Sequence, residues 1–340
     1  MKALKYLFFL ILILFIGAAV YIAVQPNEFE VRRSRIIDAN PAVVYNNIID
    51  FKNWESWSPW IEKDPETKII LGEQTKGIGG VYNWVDSKAT GSIKTLETSP
   101  NESITQEMQY DNHSPSSINW NFKTSQKGKT EVTWAMKSDN LSFLFKIYGI
   151  MGGGFDKMIG PSFDRGLEKL DSVVVASTKK YDININGVTQ HSGGFYIYNT
   201  TSCKISEIEA KIKEMLPQVG AYAITHNITM AGPAFVYYHK WDEDNNAAIF
   251  SCCVPTTAKV ITTDNSNILT GQLEPFKTVE TTLKGSYDNL KQAWDKSRAY
   301  ITENGLEFAE NGPMLEVYVT DPMEHPNPAD WVTKIFIAVK

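Results

Sequence analysis

The spacing of apolar positions changes character three times along the chain. Residues 6–24, YLFFLILILFIGAAVYIAV, are apolar without interruption. At about 1.5 Å per helical residue such a run approaches the ~30 Å hydrocarbon thickness of a bilayer. It exceeds the apolar region of a secretory leader and runs into AVQP, which is not a small-x-small cleavage site. The run predicts a single-pass membrane anchor, with a cleaved signal peptide as the alternative. Lys2 and Lys5 in the short basic tail 1–5 nearly balance Arg32, Arg33 and Arg35 beyond the span. A short basic tail before a first span tends to stay inside, so the body is expected outside the cytoplasm.

From residue 29 to about 176 the pattern first alternates and then becomes helical. Residues 29–37 read as a strand. Asn40 and Pro41 suit the N-cap and first position of a short helix with Val44 and Ile48 on its apolar face. Trp54, Trp57 and Trp60 follow in what reads as a loop. Strand-like runs at 79–86, 91–98, 103–110, 117–122 and 130–136 are separated by turn residues. Three of them alternate clearly, as in Ile118, Trp120, Phe122 and in Val132, Trp134, Met136. Such period-two runs predict an antiparallel sheet with one buried face. Phe155, Met158, Ile159, Phe163, Leu167, Leu170 and Val174 then recur at helical spacing, and Gly160-Pro161 is expected to start or kink that helix.

From about 178 to 340 the chain repeats itself. AGPAFVYYHKW (231–241) matches NGPMLEVYVTD (311–321) at an offset of 80, aligning Gly232 with Gly312, Pro233 with Pro313 and Tyr238 with Tyr318. A helical pattern precedes each segment: Ile208, Ile212, Met215 and Val219 in the first, and Leu290, Ala293, Trp294, Ser297 and Ile301 in the second. Ser206 and Glu209 have capping-box spacing. A further strand follows each Gly-Pro segment, at 246–255 and 331–339. Each unit therefore reads as strand, helix, strand, strand, and two such units leave a cleft along their pseudo-twofold axis.

Composition narrows the function classes. A chain that is 43% hydrophobic and 21% charged folds rather than staying disordered. A net charge of −6 and the lack of a basic run beyond Arg32–Arg35 exclude a nucleic-acid surface as the expectation. Cys203, Cys252 and Cys253 have no C-x-x-C spacing and are read as buried free thiols, and the five histidines are scattered. No metal, cofactor or catalytic constellation is expected.

The segments NPAVVYNNIIDFKNWESWSPW and GPSFDRGLEKLDSV (160–173) resemble the START-like superfamily, the polyketide cyclase/dehydrase and lipid-transport group. The resemblance covers residues 29–176. It implies a helix-grip fold in which a curved sheet wraps the closing helix around a cavity for an apolar ligand. Trp84, Trp120 and Trp134 are then candidate lining residues, against the plainer reading that they fill the core. LKGSYDNLKQAW (283–294), NGPMLEVYVTDP (311–322) and NPADWVTKIFIAV (327–339) resemble the GyrI-like domain, the effector-binding module of bacterial multidrug-responsive transcription activators, over residues 178–340. That resemblance implies binding of small molecules, often lipophilic cations, between the repeats, with a buried glutamate on the strand after the second helix as counter-charge. Glu316 stands at that position. The chain departs from the activators in having no helix-turn-helix region, so transcription activation is not carried over. It also has Thr333-Lys334-Ile335 where the family often has Thr-Glu-Ile.

Glu316 is odd on its own terms. Met314, Glu316 and Tyr318 face one side of their strand, and Leu315, Val317 and Val319 the other, so a carboxylate interrupts two apolar faces. The first repeat has Val236 there, so the fold does not need the acid. A buried carboxylate is costly unless paired or neutralised. Three roles stay open: counter-charge for a ligand, an exposed or internally paired acid with Lys334 as one partner, or a catalytic acid or base. Tyr238, Trp241, Tyr287, Trp294 and Tyr318 are candidate cleft aromatics. The whole reads as an α+β, membrane-anchored protein that binds small apolar or cationic molecules. A hydrolase or cyclase acting on a hydrophobic substrate is the alternative.

Overall fold

The computed structural model describes residues 2–87, 89–125, 128–263 and 266–340, and for Lys2 the backbone alone. Met1, whose amine belongs to the basic tail, lies outside the described residues. The chain divides into two compact units, one ending at Ser177 and the other beginning at Thr178.

The first unit opens with helix α1 (Lys2–Ala23), long and apolar enough to cross a membrane and with none of its most apolar window buried against the protein. Then come β1 (Phe29–Ile37), α2 (Pro41–Ile49), α3 (Pro59–Lys63), β2 (Lys68–Leu71), β3 (Val81–Val85), β4 (Thr90–Ser99), β5 (Ser103–Tyr110), β6 (Ser116–Thr124), β7 (Thr130–Ser138), α4 (Phe143–Met151) and α5 (Phe155–Thr178). The strands form one antiparallel sheet in the order β1-β7-β6-β5-β4-β3-β2. The Asn40 side chain caps α2 by accepting from the Ala42 N–H, with Pro41 next in line. The tryptophan segment is not a loop: residues 51–56 form a 3₁₀ turn and 59–63 a helix, and this local winding turns Trp54 and Trp57 into the core while Trp60 stays exposed. The closing helix begins at Phe155, six residues before Pro161, and runs through it. Pro161 falls in the second turn, where it costs the helix one N–H bond rather than its start. Gly160 has a spatial role, because a Cβ there would lie 2.1 Å from the Arg33 guanidinium. Arg33 reaches past it to Asp156 at 2.8 Å and Asp164 at 3.1 Å, and Arg35 meets Asp171 at 2.7 Å. Arg33 and Arg35 thus clasp the closing helix to the sheet, while Arg32 pairs with Glu30 on its own strand.

The second unit contains β8 (Asp182–His191), β9 (Gly194–Lys204), α6 (Ile208–Thr225), β10 (Phe235–Asp242), β11 (Ala247–Thr256), β12 (Leu269–Leu273), β13 (Phe276–Lys284), α7 (Leu290–Glu303), β14 (Met314–Tyr318) and β15 (Val332–Ala338). Its antiparallel sheet has the order β12-β9-β11-β10-β14-β15-β13-β8. The repeat is larger than the sequence pattern indicated. Each copy has two leading strands, and the first of each pairs in the other copy's half: β8 with β13, and β12 with β9. The predicted capping box does not form. Residues 205–207 make a 3₁₀ turn, and α6 starts at Ile208 without a side-chain cap. Cys252 and Cys253 are free and buried, and Cys203 is free and half-buried.

Candidate functional site

The register between the repeats places Glu316. An offset of 80 carries Phe235, Val236 and Tyr237 onto Leu315, Glu316 and Val317. In the β10–β14 ladder Phe235 faces Val317, Val236 faces Glu316 and Tyr237 faces Leu315. Val236 and Glu316 are therefore equivalent in the repeat and opposite in the sheet, and the pseudo-twofold axis passes between them. Across the sheet the row continues through Cys252 beyond Val236 and through Ile335 beyond Glu316. All three of these neighbours are fully buried. An acid in that row has apolar groups on both flanks and no lateral access to water.

Glu316 is 3% exposed. Its Oε2 accepts from the Trp294 indole N–H of α7 at 2.9 Å, and its Oε1 from the Tyr318 hydroxyl at 2.6 Å. Among the described residues no Lys, Arg or His nitrogen lies within salt-bridge distance of it, unlike the ion pairs elsewhere in the unit. Lys334 does not serve: it sits opposite Val317, on the other face, and pairs with Glu280 at 2.8 Å. Burial pushes the Glu316 carboxyl above the usual range, and the donors Trp294, Tyr318 and Tyr238 hold it back in part. Burial, with Glu316 nearby, raises the Tyr318 and Tyr238 phenols far above their ordinary value and the Tyr287 phenol to about 12. The phenols therefore stay neutral donors at physiological pH.

A cavity of about 1480 Å³ opens above this carboxylate, between α6 and α7. It is larger than the roughly 300–1,000 Å³ of ordinary ligand pockets. Glu316, Tyr318, Tyr238, Trp241, Tyr287 and Trp294 all line it. The aromatics are mutually braced: Tyr238 stands edge-on to Trp294 at 5.6 Å and to Trp241 at 5.9 Å, and Tyr287 contacts Tyr318 at 5.4 Å. Trp331 packs against Tyr287 in a tilted arrangement at 4.6 Å. At the mouth, Glu209 and Asp295 are paired with Lys213 and Lys291. Glu243, Asp288 and Asp321 have no basic partner within 4.0 Å among the described residues, which leaves the opening acidic. Arg298, whose guanidinium lies over the Trp294 ring at 5.9 Å, is a wall residue that sequence reasoning missed. Its signal was its position one helical turn beyond Trp294. The other omissions, Met314 and the Ile212–Leu216 face of α6, were legible as the strand and helix neighbours of the residues already chosen.

The remaining candidates lie in the first unit. Trp120 and Trp134 are fully buried, stacked at 4.4 Å, with Trp134 also stacked on Phe163 of α5 at 4.0 Å. Trp120 donates to Gln106 at 3.0 Å, whereas the Trp57 and Trp134 indole nitrogens have no acceptor among the described residues. Trp84 is half-buried and lies over Gly91, the residue opposite it on β4. A smaller cleft of about 340 Å³ in this unit is lined by polar residues such as Gln106, Ser116 and Asn140, and by no tryptophan.

Residues 28–175 match the family model for polyketide cyclase / dehydrase and lipid transport, and residues 195–340 match that for the GyrI-like small molecule binding domain. Among solved structures the chain is similar to the EcmrR C-terminal domain, at 17% identity over 47% of this chain and 98% of that one, with a TM-score of 0.40. It is also similar to a Chromobacterium violaceum protein (15% identity, 43% and 96% covered, TM-score 0.33) and to a Staphylococcus aureus protein of unknown function (16%, 46% and 98%, 0.36). Among curated proteins none matches the chain. The chain thus carries a polyketide cyclase/dehydrase and lipid-transport domain followed by a GyrI-like small-molecule binding domain.

Proposed function

We propose that this protein is a membrane-anchored binder of lipophilic cations, with a sensing or sequestering role and with α1 as its anchor. The observation that carries the reading is Glu316: an almost fully buried carboxylate at the base of a large aromatic cavity, with donors to hold it but no basic partner among the described residues. A cation entering the cavity supplies the missing charge. Tyr238, Trp241, Tyr287 and Trp294 line the cavity, and each ring face a bound cation met would be worth about 0.5–2 kcal/mol. The unpaired acids at the mouth raise the local concentration of cations. The ligand's apolar substituents fit the aliphatic side of α6.

The test is thermal unfolding of the full chain in neutral detergent against lipophilic cations, neutral aromatics of the same shape and fatty acids. A ligand that binds only the folded state raises the midpoint. The proposal expects cations to stabilise the parent and to leave Glu316→Gln unmoved. Equal shifts in both proteins would remove Glu316 from recognition. A shift from the fatty acids alone would move the site to the first unit.

A further inference from the structure

Helix α4 is built inside out for a water-soluble surface. Its sequence, FLFKIYGIM, has one charged residue, Lys146, and that residue is buried. Phe143, Leu144, Tyr148, Ile150 and Met151 are exposed, Leu144 at 63%, Tyr148 at 61% and Met151 at 81%. At 3.6 residues per turn these side chains, with Ile147, occupy a continuous arc of about 160°. Met158, just beyond the Gly152–Gly154 turn, adds to the same exposed apolar group. Exposed apolar side chains are ordinary when scattered, but a contiguous face marks an interaction surface.

The contacts of the buried side say what covers that face. Lys146 Nζ donates to the carbonyls of Ala23 at 3.2 Å and Gln25 at 2.7 Å. These are the end of α1 and the segment just past it, where helix carbonyls lack intrahelical donors and the dipole is negative. The Leu141 N–H donates to the Asn27 carbonyl at 2.9 Å, which holds the approach to α4 against the same segment. Phe145 stacks on Phe155, which stacks on Phe29 at the start of β1. Gly149 lets α4 close on Phe155, since a Cβ there would come within 2.7 Å of that ring. The helix is therefore fixed to the last turn of the apolar segment. If residues 6–24 span a bilayer, Ala23 and Gln25 lie at headgroup depth, and α4 lies there with them.

We infer that α4 is an interfacial helix. Its outer face, Phe143, Leu144, Tyr148, Ile150 and Met151, seats in the headgroup and upper acyl region of the leaflet from which the body emerges, with Lys146 tying it to the span. Interfacial helices bury their apolar face to about 5–10 Å in this way, and tyrosine is enriched at that depth. The inference rests on the membrane-anchored reading of α1. It goes further in giving the first unit a fixed attitude to the bilayer instead of a loose tether.

Four versions of the full chain, each with one accessible cysteine, test it, made in a Cys203→Ser background that otherwise leaves only the buried thiols Cys252 and Cys253: Leu144→Cys, Tyr148→Cys, Ile36→Cys and Leu12→Cys. Each is labelled with an environment-sensitive fluorophore and reconstituted in phosphatidylcholine–phosphatidylglycerol vesicles containing lipids with a nitroxide in the upper acyl chain. Ile36 is exposed and lies about 23 Å along β1 from Phe29 at ~3.3 Å per residue. Expected are blue-shifted, strongly quenched labels at residues 144 and 148, an unquenched label at 36, and a label at 12 that reports the bilayer interior. If residue 12 lies in the bilayer but 144 and 148 remain in water, α4 is not seated and the inference falls while the anchor stands. If neither 12 nor 144 meets lipid, both readings fail. Quenching at 144 without insertion at 12 removes the span and with it the inference, since the seat beside a span is what is claimed. Equal quenching at 36 and 144 overturns α4 as the specific seat. Burial of 144 and 148 that persists in lipid-free detergent and depends on protein concentration means a second copy covers the face, which also overturns it.

Discussion

At the scale of single residues the site is a problem of one buried charge. Glu316 was conspicuous in the sequence because strand alternation put it among apolar neighbours and its repeat partner is Val236. What the sequence did not carry was the identity of its donors. Trp294 comes from a helix and Tyr318 from the next same-face position on the strand, and only the fold brings both to one carboxylate. Because burial raises the folded-state pKa of Glu316 above its ordinary 4.5, the folded protein holds this proton more tightly than the unfolded chain. The acid's contribution is then most favourable below about pH 4.5, and stability is lost as pH rises through the raised folded value. Glu316→Gln is accordingly expected to unfold at a higher temperature than the parent at neutral pH, with the gap closing on acidification, as calorimetry across that window would record. Tyr318→Phe removes the donor at 2.6 Å. It should cost about 1.5–3 kcal/mol by denaturant unfolding at neutral pH, and less in acid, where the neutral carboxyl no longer needs it.

At the scale of elements, pattern and register were legible to different degrees. In the first unit strand-like runs, three of them clearly alternating, located β1 and β3–β7 but not the four-residue β2. In the second the Gly-Pro repeat located β10, β11, β14 and β15, while β8, β9, β12 and β13 received no bounds, because that sheet is buried on both faces and alternates poorly. The exchange of β8 and β12 between the repeat halves was not legible, because edge-strand pairing follows from chain path and not from local composition. The capping box failed for a related reason: a 3₁₀ turn at 205–207 took up Ser206, which was to cap the helix. The tryptophan turns at 51–63 were hidden because short helices leave little periodicity. Two substitutions probe the geometry directly. Val236→Glu places a second buried acid with no basic partner opposite Glu316 across the pseudo-twofold axis and should destabilise the fold by about 3–5 kcal/mol. A small change in urea midpoint would contradict the register. Gly91→Ala puts a Cβ 2.1 Å from the Trp84 ring and should cost about 1–3 kcal/mol, with the Trp84 emission changed as the ring is displaced.

At the scale of the whole molecule, a domain matching the polyketide cyclase / dehydrase and lipid transport family and a domain matching the GyrI-like small molecule binding family follow one apolar helix. The anchor and the binding site make separate predictions. The full chain should remain with membranes through alkaline carbonate washing, and appearance in the soluble fraction would remove the anchor without touching the cavity. The central claim concerns Glu316 as the counter-charge for a cation. A cation must meet the ionised carboxylate, so binding competes with the proton that burial helps the acid retain. The most direct measurement is the affinity of tetraphenylphosphonium, followed by quenching of tryptophan emission, for the parent and for Glu316→Gln across a pH series. The account predicts that parent affinity strengthens as pH rises through the raised Glu316 pKa and then levels, while the variant binds weakly and without pH dependence. Equal affinities in the two proteins, flat with pH, would contradict it.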